Sequence, residues 1–217
     1  MQINKLKIGA RIAEISIDNH VYKVSPAILK KREYKVNDTL TEEELEDFLN
    51  ESDRDNAWEY LVGMLARSLR CEKDVRDTLR EKGYRYTSVR YVIAKALEMG
   101  ILDDRKYAEF FILSSQESKG IELIKKELSQ KEIDEDIIDE LIEKADINES
   151  LVCIDVMTQY MKGKNYSDPR VVERLIKFLI ARGFSIKNIK NATPLIGNYF
   201  KEHETITEDL SNDVTIE

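Results

Sequence analysis

Val75-Arg76-Asp77-Thr78-Leu79-Arg80-Glu81-Lys82-Gly83-Tyr84 reads as the end of an amphipathic helix, a glycine stop and an apolar residue that folds back on the helix it leaves. The same grammar returns from Ile124 through Leu128 to Glu132-Ile133, and from Leu175 through Leu179 to Gly183-Phe184. The leucines Leu79, Leu128 and Leu179 lie 49 and 51 residues apart. Five residues past Tyr84, Ile133 and Phe184 stand Val89, Ile138 and Ile189, and eight past them stand Val92, Leu141 and Ala192. Each block follows another amphipathic segment, at 58–69, 106–115 and 151–161. The unit is therefore three helices of about 50 residues, repeated three times. Gly83 and Gly183 supply the left-handed residue that stops a helix. Glu132 stands in that place in the second repeat, so its turn is expected either to be built differently or to carry strain.

Before the repeats the period changes. Residues 11–17 alternate, Asp18-Asn19 tolerates positive φ, and His20-Val21-Tyr22-Lys23-Val24 alternates again, which predicts a hairpin. Residues 2–8 alternate too and suggest a third strand. Ser25-Pro26 is read as opening a short helix through Leu29. Thr41 with Glu44 has capping-box spacing, and the acidic helix it starts is expected to end near Asn50. The fold class expected is mainly α: tandem three-helix, helix-turn-helix-like repeats in an elongated curved chain, with a small N-terminal β-hairpin or sheet module. The expected divisions are 1–54 for that module, 55–102, 103–146 and 147–200 for the repeats, and 201–217 for a disordered acidic tail.

Composition supports helices. Of 217 residues, 35% are charged, against a usual roughly 25%. Glycine (8) and proline (3) are scarce. No apolar run reaches the roughly 20 residues of a membrane span, and residues 1–5 do not open a secretion signal. Two cysteines, Cys71 and Cys153, make neither a disulfide framework nor a zinc site, so a reduced, cytoplasmic protein is expected.

Catalytic chemistry finds little to stand on. His20 and His203 fall in the hairpin and the tail, outside any motif. Met161-Lys162-Gly163-Lys164 lacks the upstream glycine of a phosphate loop, because position 158 is threonine. Asp134-Glu135-Asp136 lacks the glycine of a calcium loop, and Asp104 reads as the N-cap of the helix that follows it. Trp58 and the tyrosines read as core residues rather than stacking platforms. No enzyme, metal or cofactor is expected.

The net charge of −8 hides alternating blocks. Residues 62–106 hold eleven basic and seven acidic residues, and residues 160–190 hold eight and two. Residues 120–150 hold four and eleven. Lys73, Arg76 and Arg80 share one helix face, and Arg170, Arg174 and Lys177 share the equivalent face of the third repeat, followed by Arg182, Lys187 and Lys190. The second repeat offers Lys119, Lys125 and Lys126 in acidic surroundings. These twelve are the candidate contacts to nucleic acid, through phosphates rather than base edges. The same stripes also suit ion pairs within a helix, such as Glu72–Arg76 and Lys73–Asp77.

The stretches Leu65-Ala66-Arg67-Ser68-Leu69-Arg70-Cys71-Glu72-Lys73-Asp74-Val75 and Gly100-Ile101-Leu102-Asp103-Asp104-Arg105-Lys106-Tyr107-Ala108 resemble the RecX regulatory family, as do Lys119-Gly120-Ile121 and Leu179 to Phe184. The resemblance spans residues 1–195, and the segment from Gly100 to Ala108 is its most specific part. It implies a non-enzymatic regulator in recombination, DNA repair and the SOS response. Such a protein would bind the RecA–single-stranded DNA filament as a monomer, with weak electrostatic contact to the DNA and no membrane partner. Two other classes fit the residues: a stand-alone nucleic-acid-binding protein acting through phosphates, and a protein–protein adaptor. The family commonly has basic residues flanking the glycine at position 120; here Lys119 alone stands close.

Overall fold

The computed structural model of the chain describes residues 1–164 and 168–192. The expected acidic tail lies outside them. Among the described residues there are three strands and ten helices, and they fall into two compact units, residues 1–104 and the described residues from 105 onward. No helix among them is long and apolar enough to cross a membrane.

The first unit opens with β1 (Ile3–Ile8), β2 (Ala13–Ile17) and β3 (His20–Val24), an antiparallel sheet in the order β1-β2-β3. Asp18, at φ 49°, makes the tight turn that its short polar side chain tolerates. Alternation delivers Ala13, Ile15 and Ile17 to one face, where they are buried against Leu29, Leu40, Leu45 and Phe48.

Leu29 comes from α1 (Pro26–Arg32), Leu45 and Phe48 come from α2 (Glu42–Leu65), and Leu40 comes from the segment between the two helices. Ser25 caps α1, accepting from the amides of Ala27 and Ile28, with Pro26 at the first helical position. Thr41 and Glu44 form the expected capping box. Both helices run on past their expected ends. α1 continues to Arg32, and α2 is one helix of 24 residues, not a short one ending near Asn50. The run from Asn50 to Asp53 is polar, but it contains no proline or glycine to stop a helix. Tertiary bonds then hold it in place. Buried Ser52 accepts from the Ser25 amide at 2.6 Å, Ser25 donates its hydroxyl to Asp55, and Glu51 takes Lys31 and Arg32 at 2.7 and 2.6 Å. Arg54 and Asp55 therefore sit in mid-helix.

The second half of α2, α3 (Glu72–Glu81) and α4 (Tyr86–Glu98) enclose a second core in this unit around Leu61, Val75, Leu79, Val89 and Val92. The second unit builds the same pattern twice. α5 (Asp104–Ser115), α6 (Ile121–Gln130) and α7 (Glu135–Ala145) bury Ala108, Ile112, Ile124, Leu128 and Ile138. α8 (Glu149–Met161), α9 (Pro169–Ala181) and α10 (Ile186–Ala192) enclose Cys153, Met161, Leu175, Leu179 and Ile189.

The three turns obey one rule. The amides of Gly83, Glu132 and Gly183 donate to the carbonyls of Arg80, Ser129 and Ile180 at 2.8–2.9 Å. The next amides, of Tyr84, Ile133 and Phe184, reach back five residues to Leu79, Leu128 and Leu179 at 3.2–3.3 Å. That pairing is the Schellman stop, which satisfies carbonyls the helix end leaves over. The φ angles are 85°, 60° and 79°. Glu132 thus adopts the glycine conformation instead of avoiding it, and of the two expectations the strained turn is the one realised.

Candidate nucleic-acid interface

The basic stripe of α3 divides between structural and exposed roles. Lys73 bonds Asp77 at 3.1 Å and Arg76 bonds Glu72 at 3.2 Å, both four residues apart on the helix. Arg80, in the last turn, instead lies over the ring of Tyr86 with its guanidinium carbon 5.7 Å from the centroid.

Arg76 and Arg80 border a groove of about 760 Å³ framed by α2, α3 and α4. Arg54 of α2 and Tyr86, Arg90 and Tyr91 of α4 complete its walls. Sequence reasoning passed over these four residues. The signal was present in the helical phase: α4 buries Ser88, Val89, Val92, Ile93 and Ala96, which leaves the tyrosines off the apolar column. Tyr86 is 59% exposed and Tyr91 50% exposed, so neither is the core residue expected of it. Trp58 and Tyr84 do pack against the core.

The start of α3 explains part of the Gly100–Ala108 segment. Gly100, at φ 66°, turns the chain after α4, and Leu102 is buried in the core of α2–α4. Asp104 is the first residue of α5, and its carboxylate accepts the Glu72 amide at 2.7 Å. The expectation that Asp104 caps its own helix is thus corrected: it caps α3, thirty-two residues earlier. Burial raises the Asp104 carboxyl above its ordinary range, against the opposing pull of that amide.

In the second unit the candidates divide again. Lys125 bonds Asp139 at 2.6 Å, while Lys126 is exposed. Lys119 bonds Glu127 and lies 5.0 Å over Phe111. Arg182 donates to the Ser118 carbonyl at 3.2 Å and lies 5.0 Å over Phe178, while its own carbonyl accepts the Gly120 amide at 2.8 Å. Lys119 is therefore engaged within the second repeat, and Arg182 in the packing of the start of α6 against the turn between α9 and α10. Arg170, Arg174 and Lys177 form the exposed stripe of α9, opposite buried Val172, Leu175, Ile176 and Leu179. Arg174 donates to the Arg170 carbonyl at 3.1 Å, and Lys177 bonds Glu173 at 2.8 Å. Lys187 and Lys190 are exposed on α10.

The arrangement presents fixed positive charge and aromatic surface in the first unit, and a basic helix stripe in the second. Comparison with known proteins gives these surfaces a context. Residues 103–142 match the model of the RecX second three-helix domain. The chain is 28% identical to the regulatory protein RecX of Clostridium botulinum (strain Eklund 17B / Type B) over 198 residues, covering 88% of this chain and 93% of that protein. It is 28% identical to the regulatory protein RecX of Caldanaerobacter subterraneus subsp. tengcongensis, covering 72% and 78%. A crystal structure of regulatory protein RecX shares the fold at a TM-score of 0.61 and 19% identity, over 87% of this chain and 97% of that one. The crystal structure of RecX from Lactobacillus salivarius does so at 0.53 and 20% identity, over 70% and 97%. The matched domain model, the relatives over most of their length and the shared fold together support a RecX family protein.

Proposed function

We propose that this protein is a non-enzymatic, cytoplasmic regulator that binds the RecA–single-stranded DNA filament and inhibits or modulates its recombinase activity. The family name of its relatives supports a regulatory role. The observation that carries the contact is the pair of basic surfaces, the groove of α2–α4 and the stripe of α9, in a chain of net charge −8. Concentrated positive charge on an acidic protein favours a polyanion such as the exposed phosphates of the filament. Two weak sites on one chain gain affinity through effective concentration when their targets repeat along a filament.

The test is a titration of RecA's single-stranded-DNA-dependent ATPase. Suppression at well under one chain per RecA protomer is expected, because a species that caps or bridges a filament needs few copies. Suppression only at amounts that coat the DNA would identify a stand-alone DNA-binding protein. Binding to RecA without any effect of DNA would identify an adaptor.

A further inference from the structure

The groove of α2, α3 and α4 carries more than charge. Tyr86 and Tyr91 stand a rise of about 7.5 Å apart along α4, on the two flanks of the buried column of Val89, Val92, Ile93 and Ala96, and both are at least half exposed. Arg54 lies 5.0 Å over the Tyr91 ring, and Arg80 and Arg90 each lie 5.7 Å over the Tyr86 ring. Among the described residues these three arginines make no ion pair. Glu72, the acidic residue of the lining, is engaged by Arg76.

The geometry points to a stacking site for single-stranded nucleic acid: Tyr86 and Tyr91 receive unstacked bases, and Arg54, Arg80 and Arg90 take the phosphates between them. This rests on the reading above that the chain meets single-stranded DNA, and it adds base contact to the phosphate contact expected from sequence. Relative magnitudes favour it. A base stacked on an aromatic side chain contributes several-fold more in affinity than an exposed cation–π pair. The Arg80 and Arg90 guanidinium groups lie near the outer limit of the cation–π range over Tyr86, so a base there displaces a weak contact and releases the arginines to the backbone. An acidic protein surface would use the arginines but leave both rings idle. A duplex buries the base faces the rings would need.

The test is fluorescence anisotropy with the full-length chain, without recombinase, on a labelled 20-nucleotide oligo-dT, an abasic strand of equal length and a blunt duplex. Replacing both tyrosines by alanine should lower oligo-dT affinity about tenfold per ring. Affinity for the abasic strand should change less than twofold, and the Tyr86→Phe, Tyr91→Phe pair should bind like the parent. A thermal melt checks that the alanine variant is folded; if it is not, single Tyr86→Ala and Tyr91→Ala chains carry the same comparison. Unchanged oligo-dT affinity, equal losses on dT and abasic strands, or no oligo-dT binding at all would each overturn the site. The ATPase titration separates the two readings. Suppression by a chain that shows no tyrosine-dependent binding removes the stacking site and keeps the filament regulator. Tyrosine-dependent binding without suppression keeps the site and removes the regulator.

Discussion

Gly120 and Gly183 meet backbone to backbone. A Cβ added to Gly120 would lie 2.1 Å from the Gly183 carbonyl oxygen, and one added to Gly183 would lie 2.4 Å from the Leu123 amide nitrogen. The Gly120 amide donates to Arg182 next door. Glu149, in the first turn of α8, accepts from the Ile121 amide at 3.4 Å and from Asn188 at 2.6 Å. The second and third repeats are thereby joined where α6 begins and α9 ends. Gly83, the counterpart of Gly183 in the first repeat, has nothing within 4 Å of its added Cβ.

That contrast sets the first prediction. Gly83→Ala should cost about 1 kcal/mol, the left-handed backbone penalty alone. Gly120→Ala and Gly183→Ala should each cost more than about 2 kcal/mol, because backbone must also move. Urea denaturation of the three variants gives the order directly. Equal losses would show that the close approach of the two glycines contributes nothing.

Glu132 offers the opposite experiment. Its φ of 60° costs a non-glycine residue about 1–2 kcal/mol, while glycine gives back about 0.5–1 kcal/mol through the unfolded chain. Glu132→Gly should therefore raise stability by about 0.5–1 kcal/mol. A lower denaturation midpoint in the variant would mean that side-chain contacts of Glu132 outweigh the backbone strain.

Asp104 ties α3 to the start of α5, so Asp104→Ala should cost about 1–2 kcal/mol by leaving the Glu72 amide without its acceptor. The pH dependence has a definite sign. Burial raises this carboxyl in the folded state, so its charge opposes folding once ionised, and the penalty is absent below the unfolded value of about 3.9. Asp104→Asn keeps an acceptor oxygen and removes the charge. It should be at least as stable as the parent at pH 7 and lose that advantage near pH 3, as read by urea midpoints at the two pH values.

Cys71 and Cys153 are fully buried, and burial pushes each thiol up to about 11. At pH 8 only about one thiol in a thousand is then ionised. Ellman's reagent should find no reactive thiol in the native chain and two after unfolding in guanidinium. Rapid labelling of the native protein would show that the packing around one of the two cysteines opens readily.

The basic residues should separate by role. Arg170→Glu, Arg174→Glu and Lys177→Glu together should weaken oligonucleotide binding and flatten its salt dependence by about 0.7 in log–log slope for each phosphate that is no longer neutralised. Stability should change by less than about 1 kcal/mol, since these side chains are exposed. Arg182→Ala should instead lower stability by about 1–2 kcal/mol, because it removes the hydrogen bond to Ser118 and the packing on Phe178. Anisotropy and denaturation on the same variants resolve the two classes.

Periodicity alone located the hairpin, the capping box at Thr41, the leucine columns and the helix stops, because each depends on residues within one or two turns of each other. Leu79, Leu128 and Leu179, read as equivalent from spacing, are all completely buried. What needed tertiary structure involves partners far apart in sequence. The polar run from Asn50 to Asp53 lacks a helix stop, but the partners that hold it, Ser25 and Lys31, come from across the unit. Nor could one helix's pattern show that Asp104 caps α3, or that Lys119 and Arg182 are occupied while Arg54, Arg90 and two tyrosines border an open groove. Local sequence fixes which face of a helix is apolar. Which charges on the other face stay exposed depends on the neighbours that packing brings within hydrogen-bonding distance.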